Sequence, residues 1–229
     1  VILSNLLNSG FTGKVYPVNP RANRLLGIKT YSSITEVSED IDLSVIAIPA
    51  SQVIKALEEC VIKNVKGVII ISAGFSELGK EGAKLENEIT RIARKGKIRV
   101  IGPNCMGIYN AESKLNVSII PGMYSPGPLS LISQSGAFGA YLFFKECREG
   151  IGVSKFISTG NECDVDLVDF VEFLGDDQST KVIGLYVEGL KDGRKFMRVA
   201  SEVVKRKPII VMKVGKTSYG MRAVASHTG

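Results

Sequence analysis

The stretch Val68-Ile69-Ile70-Ile71-Ser72-Ala73-Gly74 places four consecutive β-branched residues before three small ones. Such a continuous apolar run is typical of a short strand that is buried on both faces in a parallel sheet. A charged helical pattern then covers residues 77–95, and a second strand pattern at 99–101 ends in Gly102-Pro103-Asn104. A strand, a helix and another strand in this order predict a parallel α/β fold.

The same alternation continues in both directions from this stretch. Apolar runs that end in proline, glycine or asparagine are separated by segments whose apolar residues recur at helical spacing. We therefore predict parallel strands at residues 14–18, 43–48, 68–71, 99–101, 129–132, 154–157, 182–187 and 209–214.

Residues 110–127 interrupt this alternation with proline–glycine turns, and a chain of 229 residues is long enough for two domains. We predict a Rossmann-like domain over residues 1–124, followed by a flavodoxin-like domain with a doubly wound parallel sheet over residues 125–229. We also expect the chain to be a fragment truncated at both ends, with the first strand of the first domain lying before Val1.

The composition argues against several classes of protein. No apolar run reaches the roughly 18 residues of a transmembrane helix. The four cysteines include no C-x-x-C pair, so we expect free thiols in a reducing, cytoplasmic compartment, with no zinc site and no disulfide framework. The cysteines are Cys60, Cys105, Cys147 and Cys163.

The net charge of +6 is uneven along the chain. Residues 191–229 hold ten Lys and Arg against only Asp192 and Glu202. This basic end is compatible with an anionic ligand or an acidic partner, and equally with a solvated helix face. A nucleic acid is not expected, because the basic residues are not interleaved with aromatic ones and the chain has no Trp.

Small, polar and proline residues follow the predicted strands of the first domain. Ligands of open α/β sheets bind at the carboxyl ends of the strands, so these residues suit close approach by an extended, nucleotide-like molecule. Ordinary turn chemistry is the alternative. The segments are Asn19-Pro20-Arg21, Pro49-Ala50, Ser72-Ala73-Gly74 and Pro103-Asn104-Cys105.

In the second domain, Ser133-Gln134-Ser135-Gly136 leads from a strand into the start of a helix. Free backbone N–H groups, two hydroxyls and the helix dipole predict an anion site there, and a capped helix without a ligand is the alternative.

His227 is the only histidine of the chain. Neutral imidazole is a competent nucleophile toward phosphoryl groups, although a lone histidine is often structural. Glu188 follows a strand of the same domain and could accept the Nδ1–H, leaving Nε2 free to attack, or could be a surface turn acid. Cys105 has no second histidine to activate it and is expected to be a loop or core thiol.

Several motifs together carry a resemblance that covers essentially the whole chain in order. The chain resembles the NDP-forming acyl-CoA synthetases, relatives of the succinyl-CoA synthetase α subunit, and within them the α chains of ADP-forming acetate–CoA ligases. The motifs are Val15–Pro20, Ile48–Ala50, Ile101–Gly107, Ser133–Gly136, Gly160–Asp164, Val187–Gly189, Lys191–Arg194 and Ser226–Gly229.

The resemblance implies a reversible synthesis of acyl-CoA from a small carboxylic acid, CoA and ATP, through an acyl phosphate and a phosphohistidine. His227 matches the phosphorylated histidine and Glu188 the acid that orients it. Phosphate binding falls on Ser133, Gln134, Ser135 and Gly136. CoA binding falls on Asn19, Arg21, Pro49, Ile71, Ser72, Ala73 and Asn104.

The family's ATP-grasp part, which handles ATP, ADP and Mg²⁺, has no counterpart in this sequence. The resemblance therefore implies a separate β subunit or a C-terminal domain, and an oligomeric protein without a metal site on this chain.

Two other functions stay open at this stage. The first is a non-catalytic CoA-binding sensor or scaffold, as in fusions to acetyltransferases. The second is a serine hydrolase, because Ser135, Asp164 and His227 occur in the order of an α/β-hydrolase triad, although the sequence around Ser135 is not G-x-S-x-G.

Overall fold

The computed structural model describes residues 1–215. The helices are α1 (Ile2–Asn8), α2 (Ala50–Ile62), α3 (Lys80–Gly96), α4 (Gly136–Arg148), α5 (Leu167–Asp176) and α6 (Gly193–Val203). The strands are β1 (Arg24–Leu25), β2 (Ile28–Lys29), β3 (Leu43–Ile46), β4 (Gly67–Ile70), β5 (Arg99–Ile101), β6 (Gly107–Asn110), β7 (Leu115–Ser118), β8 (Leu129–Ser133), β9 (Val153–Ser158), β10 (Val182–Val187) and β11 (Ile209–Lys213). In this part of the chain no helix combines the length and apolar character needed to span a bilayer.

The first sheet is parallel, with strand order β3-β4-β5. Its core joins buried residues of the strands to the apolar faces of α2 and α3, including Val53, Leu57, Ile70 and Ile89. The helical spacing of these apolar positions explains why α2 and α3 pack against the sheet while their charged residues face water.

The second sheet has the order β11-β10-β8-β9-β6-β7. Strands β11, β10, β8 and β9 are parallel, and every residue of β8 and β9 is buried. The predicted α/β fold class is therefore confirmed, and the strand predictions from residue 43 onward match observed strands to within about three residues.

Two parts of the strand prediction are wrong. Residues 14–18 contribute only an isolated bridge between Val18 and Tyr31, because Pro17 has no N–H to donate to a ladder. Residues 110–127, interpreted as loop, contain β7 and the end of β6.

Strands β6 and β7 form an antiparallel hairpin on the edge of the second sheet, so this sheet is mixed and not wholly parallel. Four-residue strands with a polar residue in the centre carry little periodic signal. Asn116 of β7 is fully buried, and its amide donates to the carbonyl oxygens of Ile120 and Gly122 at 2.9 and 2.8 Å. The second sheet thus takes strands from both sides of residue 124, and the predicted division at 124/125 does not separate the two sheets.

The outer edge of β5 is covered by the segment that follows β9. The N–H groups of Asn161, Cys163 and Val165 donate to the carbonyl oxygens of Pro103, Gly102 and Val100 at 2.9, 2.9 and 3.0 Å. These bonds tie the two sheets together along an extended strip of backbone.

Gly160 opens that strip with a φ of +61°, in the left-handed region. A Cβ at this position would lie 2.2 Å from the carbonyl oxygen of Pro103. Only glycine therefore allows the two backbones to approach this closely.

Charged side chains extend the same contact between the two sheets. Arg99 on β5 binds Asp164 and Asp169, with nitrogen–oxygen distances of 3.0 and 3.3 Å. Asp169 also binds Lys195 of α6 at 2.6 Å. Part of the basic end of the chain is therefore used inside the fold.

Other basic residues near α6 are also paired. Arg206 binds Asp176, and Lys205 binds Glu202 at 2.8 Å. Lys207 donates to the carbonyl oxygen of Leu174 at 2.8 Å, at the end of α5 where the helix dipole favours a cation. For these residues the solvated or structural interpretation of the basic end is the better one.

Candidate functional site

The loops after β3, β4 and β5 meet at one edge of the first sheet. The Ser72 hydroxyl donates to the carbonyl oxygen of Ile48 at 2.5 Å and accepts the Ile48 N–H at 3.1 Å. The Asn104 N–H donates to the carbonyl oxygen of Ser72 at 2.9 Å. Pro49 directly precedes α2, and Ile71 and Ala73 flank Ser72. Five residues predicted to bind CoA thus lie on adjoining loops.

Asn19 and Arg21 lie on a different loop. The Asn19 Oδ1 accepts the Arg21 N–H at 2.8 Å, and the Asn19 N–H donates to the carbonyl oxygen of Tyr31 at 2.8 Å. Arg21 is exposed. Within residues 1–215, the hydrogen bonds of these two residues do not reach the strand-end loops.

Asn104 connects this edge to the second domain. Its φ is +57°, and its Nδ2 donates to Asn161 Oδ1 at 3.3 Å. Asn161 Nδ2 in turn donates to Glu77 at 2.7 Å and to Glu86 at 2.8 Å. Asn161 therefore lies at the centre of a polar cluster that joins the two domains.

Glu77 in this cluster is held as a carboxylate. Burial favours its neutral form, but hydrogen bonds from the Gly74 N–H and the Asn161 amide outweigh burial and lower its pKa below the ordinary value. The Gly74 N–H donates to Glu77 Oε1, with a nitrogen–oxygen distance of 2.6 Å. Glu77 and Asn161 together hold the loop after β4 against the loop after β9.

The loop from β8 into α4 uses its hydroxyls internally. The Ser133 hydroxyl is buried and donates to the carbonyl oxygen of Ser135 at 2.6 Å. Ser135 is the N-cap of α4, and its hydroxyl accepts the Phe138 N–H. A Cβ at Gly136 would lie 2.6 Å from Met106 Cγ, which explains the glycine.

Gln134 contacts the loop after β10. Its Oε1 accepts the N–H groups of Glu188 and Gly189 at 2.6 and 3.0 Å, and its Nε2 donates to the carbonyl oxygen of Gly189 at 2.8 Å. The structure thus brings together Gln134 and Glu188, which the sequence analysis placed in separate roles.

A cavity of about 270 Å³ lies at the junction of these loops. It includes Ser76 from the first domain and Glu188 from the second. The lining residues are Ser76, Gln134, Gly160, Asn161, Glu162, Glu188, Gly189, Leu190 and Lys191. Groups from the strand ends of both domains therefore face one space.

Glu162 lines this cavity and was not selected from the sequence. It is 4% exposed, has a φ of +59°, and accepts the Leu167 N–H at 3.2 Å. Burial raises its pKa, against hydrogen bonds from Thr159 and Gln134 and the charge of Lys191. The sequence feature that could have identified Glu162 is its position within the Gly160–Asp164 motif.

A larger groove of about 380 Å³ lies elsewhere, along β6, β7 and α5. Ile108, Leu115 and Phe170 make much of its lining apolar, and none of the predicted site residues lines it. Three of its lining residues are charged, and all three are in ion pairs. The smaller cavity, which loops of both domains line, is therefore the candidate site.

Two family models match consecutive parts of the chain. The model described as a CoA binding domain matches residues 1–111, and the one described as a succinyl-CoA ligase like flavodoxin domain matches residues 126–229. The α subunit of ADP-forming acetate–CoA ligase II from Pyrococcus furiosus is 50% identical over 217 residues, which are 95% of this chain. The chain belongs to the NDP-forming acyl-CoA synthetase family.

Other members of this acyl-CoA synthetase family agree over the full length of the chain. ADP-forming acetate–CoA ligase I from Archaeoglobus fulgidus is 46% identical over 100% of this chain. A solved structure of the dinucleotide forming acetyl-coenzyme A synthetase 1 from Ca. Korarchaeum cryptofilum, in complex with phosphate and ADP, has a TM-score of 0.94 at 44% identity and also covers 100% of this chain. The recognition made from the motifs is confirmed.

The chain is shorter than these relatives. It spans 47% of the P. furiosus α subunit, 33% of the A. fulgidus ligase and 49% of the chain in the solved structure. What the complete synthetases do is therefore carried to this chain only as a proposal.

Three remaining sequence predictions have different outcomes. His227 lies outside the described residues. Cys105 is a core thiol: it is 5% exposed, and burial raises its pKa to about 12. A hydrolase triad is not supported, because Asp164 binds Arg99 and the Val100 N–H while the Ser135 hydroxyl caps α4.

Proposed function

We propose that the chain is the CoA-binding and phosphohistidine-carrying part of an ADP-forming acyl-CoA synthetase, which converts a small carboxylic acid, CoA and ATP into acyl-CoA, ADP and phosphate. The observation that carries this proposal is the single cavity lined by both Ser76 and Glu188. A thiol presented by the first domain and a phosphoryl group carried by the second can meet there.

The proposed CoA site uses the adjoining loops of the first sheet. The side chains of Ser72, Pro49 and Ala73 are small, so an extended ligand can approach the backbone closely there. Ile71 and Asn104 border the same edge, and Asn104 leads from it to Asn161 at the cavity. Asn19 and exposed Arg21 are proposed to bind the anionic part of CoA from their own loop.

In the proposed relay, His227 Nε2 accepts the γ-phosphoryl group of ATP and ADP leaves. The carboxylate of the acid then attacks phosphorus, giving acyl phosphate and free histidine. Attack of the CoA thiolate on the acyl carbon releases phosphate and forms the thioester. Glu188 accepts the Nδ1–H of His227 and offsets the positive charge that develops when nitrogen binds phosphorus.

The backbone N–H groups at the start of α4, at Ser135 and Gly136, are proposed to hold the transferring phosphoryl group. Ser133 supports this loop through its hydrogen bond to Ser135, and Gln134 ties the loop to Gly189 after β10. Removing the Ser135 hydroxyl should therefore slow the relay less than changing Glu188, because the N–H groups remain.

ATP, ADP and Mg²⁺ are proposed to bind an ATP-grasp part outside this chain. The chain spans 47% of one relative and 33% of another, so that part can lie on a separate subunit or further along the same polypeptide. An oligomeric protein is proposed because two of the relatives are named as α subunits, and a cytoplasmic one because the four cysteines are free thiols.

Labelled phosphate retained on the protein tests this function. The intact enzyme, with its ATP-grasp part and γ-labelled ATP, should acquire an alkali-stable, acid-labile label, and His227→Ala should abolish it while CoA affinity stays unchanged. Glu188→Gln should slow labelling strongly, and Ser135→Ala should slow it less. Wild-type labelling of His227→Ala would exclude the relay, and binding of CoA without any label on the wild type would favour a sensor.

A further inference from the structure

The dipeptide Glu188-Gly189 lies outside regular secondary structure, yet each of its four backbone polar atoms is bonded to a side chain. Gln134 Oε1 accepts both N–H groups, at 2.6 and 3.0 Å, and Gln134 Nε2 donates to the carbonyl oxygen of Gly189 at 2.8 Å. Lys213 Nζ donates to the carbonyl oxygen of Glu188 at 2.8 Å. Two side chains therefore bond the three successive peptide groups on either side of Glu188 and Gly189.

These side chains come from the two strands that flank β10. Gln134 directly follows β8, and its N–H continues the β8–β10 ladder by donating to Tyr186 at 3.3 Å. Lys213 is the last residue of β11, where it pairs with Val187. The parallel register places both residues beside the end of β10, where the turn begins.

The bonding of Gln134 leaves it poorly suited to hold phosphate. Both ends of its amide bond the turn. Gln134 is predicted from the sequence to bind phosphate, whereas its amide bonds the backbone of Glu188 and Gly189.

We propose that Gln134 and Lys213 are positioning residues that set the direction of the Glu188 side chain. This inference rests on the proposed function, in which Glu188 orients His227. With the peptides on both sides of its Cα bonded, the Cα–Cβ bond of Glu188 has a set direction, and this direction limits where the carboxylate can lie relative to an imidazole that it orients. A misplacement of about 1 Å in such a group costs about 10²-fold in rate.

A double-mutant cycle on the intact enzyme tests this role. Gln134→Ala should lower the rate of histidine phosphorylation by about 10- to 100-fold and leave CoA affinity unchanged. In the Glu188→Gln background, the same substitution should lower the rate by less than about threefold, because no carboxylate remains to be positioned. Gln178→Ala is the matched control, because it removes an exposed glutamine whose side chain donates to the carbonyl oxygen of Asp176 on the surface.

The outcomes separate this inference from the proposed function. An equal loss from Gln134→Ala in both backgrounds would mean that Gln134 acts on the phosphoryl group directly, and would overturn the positioning role. A wild-type rate in Gln134→Ala would overturn it as well. If Glu188→Gln itself labels at the wild-type rate, the role of Glu188 in the relay fails first.

Substitutions of Lys213 test the positioning of Glu188 independently of Gln134. Lys213→Met keeps the aliphatic stem but removes the bond to Glu188, and should slow labelling, whereas Lys213→Arg keeps a donor and should restore most of the rate. Lys205→Met, at an exposed lysine paired with Glu202, is the control. Equal rates for Lys213→Met and Lys213→Arg, with unchanged thermal stability, would count against the positioning role of Lys213.

Discussion

Asn161 donates a 2.7 Å hydrogen bond to Glu77, and this bond runs from the loop after β9 to the loop after β4. The same amide approaches Glu86 at 2.8 Å. One neutral side chain of the second domain therefore lies between two carboxylates of the first.

Asn161→Ala should destabilise the protein by about 1–3 kcal/mol, because it leaves two partly buried carboxylates without their shared donor. Denaturant unfolding at neutral pH measures this loss. Asn8→Ala, at an exposed asparagine of α1 whose side chain donates to Ser4 at 3.3 Å, should change stability by less than about 0.5 kcal/mol. Equal stability of Asn161→Ala and the wild type would contradict a structural role for the cluster.

Gly160→Ala should cost far more than Gly150→Ala, although both glycines have positive φ values of +61° and +77°. A Cβ at Gly160 meets the Pro103 carbonyl oxygen at 2.2 Å, whereas a Cβ at Gly150 meets nothing within 4 Å. Gly150→Ala therefore measures the backbone cost alone, about 1 kcal/mol. Thermal unfolding measures how much more Gly160→Ala destabilises the protein than Gly150→Ala does, and this difference reports how closely the two backbones are held. Equal destabilisation by the two substitutions would mean that the strip can move apart without cost.

Acid stability should depend on the pair formed by Lys155 and Asp177, whose oxygen and nitrogen are 2.8 Å apart. Burial acts to raise the pKa of Asp177, but hydrogen bonds from Lys155, Thr180 and Ser179 outweigh it and lower the pKa to about 2 from an ordinary 3.8. Because the pKa of Asp177 is lower in the folded than in the unfolded protein, its carboxylate stabilises the fold at pH values above the unfolded-state pKa. This stabilisation is lost as the pH falls through about 2.

Lys155→Met should therefore begin acid unfolding at a higher pH than the wild type, followed by circular dichroism. Lys66→Met is the control, because its partner Asp42 and Lys66 itself are both more than 80% exposed. An unchanged acid transition in Lys155→Met would show that other groups control it.

Arg21→Ala should weaken CoA binding without lowering the melting temperature. The guanidinium is exposed, so its loss removes an attraction for anionic groups and no packing. Calorimetric titration with CoA should show the larger effect at low salt, because screening weakens exposed charges. Arg198→Ala, at an exposed position on α6, should leave the affinity unchanged, and the same result for Arg21→Ala would remove Arg21 from the proposed site.

The sequence was informative wherever a local pattern determines the structure. The β-branched run at residues 68–71 and the apolar run of β10 predict buried parallel strands, because such runs fit no solvent-exposed element. The β6–β7 hairpin was missed because Asn110 and Asn116 interrupt its apolar character. What stabilises Asn116 is a set of carbonyl groups that only the folded turn brings to it.

The sequence predicts that the candidate site lies at the ends of the strands, but it does not predict which side chains contact one another there. Glu162 is buried in a segment whose neighbour Gly160 passes close to Pro103, and this contact joins residues far apart in the sequence. Gln134 was assigned to phosphate because strand-to-helix loops often bind anions. Its hydrogen bonds to the backbone of Glu188 and Gly189 depend on the register between β8 and β10, which no local pattern encodes.

The backbone strip between residues 100–103 and 161–165 determines how this chain can be dissected. A polypeptide ending at residue 124 would expose the hydrogen-bonding edge of β5, and unpaired strand edges recruit other chains into aggregates. It would also contain β6 and β7, which form the edge of the six-stranded sheet in the other half. Expressed separately, the first half would lack the backbone strip that covers β5 and the second half would lack β6 and β7, so position 124/125 is a poor place to cut this protein.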